Sequence, residues 1–311
     1  MGVCGIIKDM KHILAPLRGV TVRTFRAVFA PVLKEGGFVS CVSPFIPALA
    51  PKVHASSLKD VSPADEPLPC VPQAIGKDPA ALRALLCALK ETGHEKADLN
   101  AGCPYPMITR KGRGAGLLRS PDVLARMLEA GVEEMGPGNF SLKVRLGVES
   151  PDELAALMPL INRFPLANLT VHARTARQMY SGKPDVARFL DIAAASSNPV
   201  VYNGDFDPGN PGSPVAEALH EWLAAPGRGE APSVMVGRPF VGSLALRDDA
   251  STLLGAYLDA TERELCGRSS VLGRMKELLA YWRDASPAWR RRWETIKLCR
   301  TVAELRIAIA R

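Results

Sequence analysis

Asp98-Leu99-Asn100-Ala101-Gly102-Cys103-Pro104 sets a cysteine just past the end of an apolar strand. A loop through Gly112, Arg113, Gly114, Ala115 and Gly116 follows before the next helical stretch. Gly102 lets a ligand approach the backbone, and Pro104 stiffens the exit. A reactive side chain at the C-terminal end of a buried strand is where barrel enzymes keep their chemistry. The same arrangement recurs outward in both directions. Apolar runs predict strands at residues 12–16, 38–45, 69–76, 97–102, 140–146, 168–172, 199–203 and 233–237. Between them, residues 21–34, 78–92, 120–134, 150–163, 184–195 and 214–224 read as helices, several opening on Ser, Asp or Pro as Ser120-Pro121-Asp122 does. Strands alternating with helices imply βαβ units and a parallel sheet. Eight such units, with a polar residue after nearly every strand, predict an α/β fold closed as a (β/α)8 TIM barrel. The strand pattern stops near Val241, and residues 272–282 and 289–309 read as helices. The expected organisation is a barrel over residues 1–245 followed by a small C-terminal helical domain over residues 246–311. Residues 48–66, rich in Pro and Ser, read as a long loop.

The chain has 311 residues, 47% hydrophobic and 23% charged, as an ordinary globular protein has. No apolar run approaches the roughly 20 residues of a membrane span. The start, Met1 to Met10, has too short an apolar core for a secretory signal, so a cytoplasmic protein without a membrane is expected. Cys4, Cys41, Cys70, Cys87, Cys103, Cys266 and Cys299 are odd in number, and no C-x-x-C pair occurs. That argues for free thiols and no metal, with most of the six besides Cys103 acting as small buried hydrophobes. The net charge of +7 is concentrated: residues 262–311 hold twelve Lys/Arg against six Asp/Glu, and everything before them carries a surplus of one. A polyanion docking on the C-terminal element would account for this, and a solvated helical face would do so equally.

Residues at the C-terminal strand ends of a barrel share one mouth. Here they are Pro16, Gln73, Asn100, Cys103, Lys143, Arg145, His172, Arg174, Asn203, Gly204, Asp205, Gly237 and Arg238. The turns Asn203-Gly204-Asp205 and Gly237-Arg238 close the seventh and eighth strands, where this fold commonly binds phosphate through backbone N–H groups. Lys143 and Arg145 alternate with Leu142, Val144 and Leu146, so both cations face one side of their strand. Buried together they need an electron-rich partner. The pyrimidine carbonyls of a flavin would serve Lys143, whereas carboxylates near the barrel top would equally explain Arg145. His172 and Arg174 repeat the arrangement on the next strand. The amide of Gln73 can donate and accept at once, matching a flavin or base edge. No His or Asp is placed to activate Cys103, and a thiol of pKa about 8.5 is mostly protonated at pH 7. Beside a flavin, such a thiol can act as a general acid.

These residues resemble the tRNA-dihydrouridine synthase family of flavin enzymes. The resemblance runs through Leu14-Ala15-Pro16-Leu17-Arg18-Gly19-Val20-Thr21, Gln73-Ala74-Ile75-Gly76, Asp98–Pro104, residues 112–118, Lys143–Gly147, Val171–Thr175, Asn203–Asp205 and Val236–Arg238, in that order. It implies FMN in the barrel mouth, reduced by NADPH, with a hydride delivered to C6 of a tRNA uracil and a proton to C5. By the same resemblance Cys103 is the acid. Pro16, Leu17, Gln73, Lys143, His172, Asn203, Gly204, Asp205, Gly237 and Arg238 are flavin contacts, and Asn100 and Arg145 lie near the base. The run Arg274–Trp282 is similar to the C-terminal tRNA-binding helices of bacterial class C members. That likeness implies tRNA contacts at Arg274, Lys276, Arg290, Arg291 and Arg292 and a target at position 16 of the D-loop. A monomer is expected. The chain departs from the family at Leu17, where Met is usual, at Pro106, where Lys is frequent, and at Ser43-Pro44, where an acidic residue is frequent. Two other readings are an FMN barrel oxidoreductase acting on a free small molecule and an RNA-binding barrel without catalysis.

Overall fold

Every strand pairing among the described residues is parallel. The computed structural model describes residues 10–63, 66–224 and 233–310. Cys4 and the chain start weighed above lie outside them. The strands are β1 (Lys11–Leu14), β2 (Phe38–Val42), β3 (Ile46–Ala48), β4 (Cys70–Val71), β5 (Gln73–Gly76), β6 (Ala97–Ala101), β7 (Phe140–Gly147), β8 (Leu169–Thr175), β9 (Val200–Asn203) and β10 (Ser233–Val236). They pair in the order β3-β5-β6-β7-β8-β9-β10-β1-β2-β4. β2 and β3 are two halves of one stave, parted at Ser43-Pro44-Phe45. β4 and β5 are halves of the next, parted at Pro72, which has no N–H to give the ladder. Since β2 pairs with β4 and β3 with β5, the two ends of that order are the same two staves. The ten segments therefore close into the eight-staved barrel that the alternation predicts.

The helices are α1 (Arg23–Val28), α2 (Ala30–Glu35), α3 (Pro79–Glu91), α4 (Pro106–Thr109), α5 (Pro121–Met135), α6 (Glu153–Ile161), α7 (Val186–Ala195), α8 (Pro214–Ala224), α9 (Arg238–Ser243), α10 (Ala250–Glu264), α11 (Arg268–Trp282), α12 (Pro287–Ile296) and α13 (Val302–Ala310). α3 shows the local logic. The Asp78 carboxylate accepts from the N–H of Ala80, Pro79 occupies the first turn, and Ala81, Leu82, Leu85, Leu86 and Leu89 bury one stripe. The main apolar core lies between the barrel and its helices; a smaller one inside the barrel gathers Ala15, Val42, Val201 and Met235.

Three expectations are corrected. The single helix over 21–34 is two, broken at Phe29, because Pro31 cannot donate to the carbonyl of Ala27. The helix over 289–309 is also two, separated by residues 297–301, where the carbonyls of Lys297 and Cys299 accept from Lys276 Nζ at 2.9 and 2.7 Å. Residues 48–66 include a 3-10 helix, Ala55–Val61, whose Val61 is buried. In addition, α10 fell in a stretch without a predicted element. Its stripe Leu254, Tyr257, Leu258 and Thr261 follows the i, i+3, i+4, i+7 spacing and is buried. The thiols differ from expectation as well: Cys41 and Cys299 are buried, Cys70 is partly so, and Cys87 and Cys266 are exposed.

The C-terminal helices share the barrel's core. The Tyr257 ring meets Phe25 edge-on at 6.0 Å and lies 5.8 Å from Phe29. Trp282 and Trp289 pack edge-to-face at 4.9 Å, and Trp289 Nε1 donates to the carbonyl of Ala245 at 2.8 Å. Truncating Tyr257→Ala should cost about 3–5 kcal/mol. Urea unfolding followed by circular dichroism should remain one transition at a lower midpoint; two separate transitions would show that this core is not shared.

Candidate active site

Cys103 lies two residues past the end of β6, after Gly102, and is only 8% exposed. Asn100 shapes its turn: Oδ1 accepts from the N–H of Gly102 at 3.1 Å and of Cys103 at 2.9 Å. From the far side, Arg145 Nε donates to the carbonyl of Gly102 at 2.9 Å. The glycine loop closes over the cysteine, with the N–H of Ala115 donating to the Cys103 carbonyl at 3.0 Å. Gly114 has φ of +54°, and a Cβ there would lie 2.7 Å from that carbonyl oxygen and 2.8 Å from Cys103 Cβ. Burial pushes the thiol pKa up, against a hydrogen bond from Tyr105 and the charges of Arg145, Arg18 and Lys143. Cys103 is therefore protonated at neutral pH.

The pocket above it is lined by Arg18, Lys143, Arg145 and Arg238 and, among the described residues, by no carboxylate. Lys143 Nζ donates to Asn203 Oδ1 at 2.7 Å, and Asn203 Nδ2 donates to the carbonyl of Met235 at 2.8 Å. Burial and the neighbouring Arg145 bring the Lys143 pKa down to about 7. The reading in which carboxylates neutralise Arg145 is corrected: its guanidinium is met by the carbonyls of Gly102, Thr175 and Met179. Burial lowers its pKa to about 10. His172 Nε2 lies 3.3 Å from Arg174 Nη1, which can only donate. Nε2 accordingly accepts, and the proton sits on Nδ1. Burial, then Arg145, Lys143, Arg174 and Arg238, hold His172 well below the usual histidine range, so it is neutral.

Pro16, Leu17, Asn100, Gly204 and Gly237 line the same pocket. Gln73 and Asp205 do not. Gln73 is fully buried beneath it, between Asp98 and Asn100. Asp205 receives both Arg174 and Arg238, the latter at 2.9 Å, and so sets the direction of Arg238. Among the C-terminal residues, Arg274 is paired with Glu264 at 3.8 Å, and Lys276 is spent on the two carbonyls after α12. Arg290 and Arg291 are exposed, and Arg292 lies over the Trp289 ring at 4.5 Å. Sequence reasoning missed Arg18, Phe45, Tyr105, Tyr180 and Tyr281, which complete the wall from loops and from α11. Tyr180 is flanked by Arg145 and Arg238, at 5.2 and 4.7 Å from the ring centre. Among the described residues, one group of possible metal ligands gathers elsewhere, Cys41, Glu66 and Cys70. Both Glu66 oxygens there are held by Arg26.

A ring of neutral donors and acceptors, four cations and a protonated thiol suits an anionic, electron-rich planar group with a substrate above it. Barrel and site together define a barrel oxidoreductase. The family model Dihydrouridine synthase (Dus) matches residues 13–242, and the chain belongs to that family, whose members are flavin-dependent. It is 28% identical over 290 residues to the tRNA-dihydrouridine(16) synthase of Pseudomonas putida, covering 89% of this chain and 82% of the relative. It is 32% identical over 280 residues to tRNA-dihydrouridine synthase B of Xanthomonas axonopodis pv. citri, covering 88% and 78%. Two solved structures share the fold. They are the old yellow enzyme homologue from Zymomonas mobilis (TM-score 0.52, 12% identity, 75% of this chain and 85% of that one) and morphinone reductase in complex with tetrahydroNAD (TM-score 0.51, 13% identity, 75% and 84%). Membership as an oxidoreductase removes the reading of a barrel without catalysis. No helix among the described residues is long and apolar enough to cross a membrane.

Gly114→Ala tests how tightly the loop fixes the cysteine. The strained φ should cost about 1–3 kcal/mol, and alkylation of Cys103 by iodoacetamide, followed by mass spectrometry, should accelerate as the thiol is displaced. An unchanged rate would mean that the loop does not set its position.

Proposed function

We propose that the protein reduces a uridine of tRNA to dihydrouridine, with FMN as its flavin and NADPH as the reductant, as a cytoplasmic monomer. The observation that carries this reading is a pocket wall with four cations and, among the described residues, no carboxylate, beside the buried Cys103, whose thiol pKa burial pushes up. When bound, reduced FMN supplies the hydride that C6 of the uracil receives. Lys143, with Asn203 fixing its ammonium, would face the electron-rich pyrimidine edge of the flavin. Neutral His172 can donate from Nδ1 without adding a further charge. Gly204, Gly237 and Arg238, which line the pocket together, would hold the flavin phosphate, and Pro16 and Leu17 line the same pocket. Gln73 and Asp205 support these groups from behind, through Asn100 and Arg238.

Cys103 gives its proton to C5, so the C5=C6 bond gains one hydride and one proton. The thiolate left behind is stabilised by Arg145, Arg18 and Lys143, the charges that already favour it. The target base must leave its stack, at a cost of roughly a few kcal/mol. Phosphate contacts from Arg290, Arg291 and Arg292 would offset that cost. Tyr281 of α11 brings the C-terminal helices to the rim of the pocket. Likeness to the Pseudomonas putida relative supports position 16 as the target.

In Cys103→Ala, flavin should stay bound and NADPH should still bleach it, while dihydrouridine formation collapses; loss of flavin would assign the cysteine to structure. Replacing Arg290, Arg291 and Arg292 together should weaken tRNA binding and reduce the slope of log K against log salt by about 2–3. An unchanged slope would leave that face solvated only. Mapping dihydrouridine in tRNA from a deletion strain should show loss at position 16, and loss elsewhere would reassign the target. The Lys143 shift gives a pH dependence. If the bound flavin requires the charged ammonium, FMN affinity should fall between pH 7 and 9 by up to about tenfold per unit. That dependence should vanish in Lys143→Met, as read by flavin fluorescence titration.

A further inference from the structure

Gln73 and Asp98 are register partners across β5 and β6, and Asn100 stands two residues further along β6. Their side chains form one file of hydrogen bonds, ending at the cysteine turn on one side and at a buried carboxylate on the other. The N–H groups of Gly102 and Cys103 donate to Asn100 Oδ1. Asn100 Nδ2 donates to Gln73 Oε1 at 2.7 Å, and Gln73 Nε2 donates to Asp98 Oδ2 at 2.7 Å. Ser141 Oγ completes the file by donating to Asp98 Oδ1 at 2.7 Å. Every bond points toward the carboxylate.

A carboxamide turned over by half a rotation keeps its shape and exchanges donor for acceptor, so only the ends of such a file can set its polarity. At one end, two backbone N–H groups can only donate. At the other stands the carboxylate of Asp98, whose pKa burial raises to about 6, so that near pH 8 it is ionised and can only accept. One assignment alone then leaves no donor facing a donor. Gln73 is fully buried and Asp98 almost so, which denies solvent the chance to repair a mismatch.

We propose that Asp98 is a positioning residue for Cys103: by accepting from Gln73 it fixes the polarity of both amides and keeps Asn100 Oδ1 as the acceptor that folds the Gly102-Cys103 turn. Its consequence for catalysis rests on Cys103 being the proton donor; the positioning itself does not. An asparagine at position 98 has nearly the same shape but presents a donor or a weaker acceptor. If it donates, Gln73 must turn over, Asn100 must follow, and an amide N–H then faces the N–H groups of Gly102 and Cys103. An aspartate at position 100 alone creates the opposite conflict, with two carboxylates competing across one amide. Both changes together reverse the file and satisfy every group again.

The test is a double-mutant cycle on the protein without added flavin or tRNA, with D98N, N100D and D98N/N100D. The readout is the pH profile of Cys103 alkylation by iodoacetamide, followed by peptide mass spectrometry, so it stands apart from whether tRNA is the substrate. Each single variant should alkylate about tenfold faster than wild type near pH 8 as the turn loosens, and the double variant should return to within about twofold. If a single variant does not fold, the same comparison is read as recovery of soluble, cooperatively unfolding protein in the double variant. Additive or worse-than-additive damage in D98N/N100D, or a D98N profile matching wild type, overturns the proposal.

Discussion

Closure of the barrel through two broken staves is the constraint on which the site depends. Pro72 cannot supply a ladder N–H, yet the ring must close there. Ser43 bridges the gap: its N–H donates to the carbonyl of Val71 at 3.0 Å, and its hydroxyl accepts from the N–H of Gln73 at 3.1 Å. The carbonyl of Pro72 in turn accepts from the N–H of Asp98 at 2.9 Å. Ser43 is thus part of the closure. Once the ring is shut, register does the rest. Gln73 falls opposite Asp98, Asn100 opposite Lys143, and His172 opposite Asn203, all parallel neighbours on the inner face.

That inner face carries more positive charge than its own acceptors neutralise. Lys143 meets an amide oxygen and Arg145 meets carbonyls, groups that satisfy hydrogen bonds without cancelling charge. Asp205 balances Arg174 and Arg238 from behind the pocket wall. The arrangement keeps desolvated cations directed at the open mouth, where an anionic or electron-rich ligand is the missing counterpart. Asp98, beneath the wall, offsets part of the cost of burying Lys143; a further carboxylate on the wall itself would have removed the attraction for a ligand.

The strands were legible because each is a short apolar run ending in a polar residue, and that pattern reports burial on both faces of a parallel stave. It did not report that two staves are broken: the strands expected over residues 38–45 and 69–76 run straight through Ser43-Pro44 and Pro72, where the ladder is in fact interrupted. The site was legible wherever a strand end carries it, as at Cys103, Lys143, His172 and Asn203. It was not legible for Arg18, Tyr105, Tyr180 and Tyr281, whose loops and helix meet the pocket only after folding. Gln73 shows the middle case: its position on a strand was readable, but its depth follows from the break beside it. The basic C-terminal surplus was readable as charge, yet composition could not show that Lys276 is occupied by carbonyls while Arg290 and Arg291 are exposed.

The loop after β8 shows how far the fold goes to keep Arg145 both buried and charged. Met179 is the one non-glycine residue with positive φ among those described, at 53°. Such a conformation costs a β-carbon-bearing residue about 1–2 kcal/mol. It turns the Met179 carbonyl onto Arg145 Nη1 at 2.6 Å and delivers the next residue, Tyr180, over the same guanidinium. A neighbouring carboxylate would have held Arg145 with no backbone strain, but its negative charge would have opposed formation of a thiolate at Cys103. Carbonyl oxygens and a ring face anchor the arginine and leave its charge directed at the sulfur. The strained turn is therefore the counterpart, in backbone geometry, of the carboxylate-free wall.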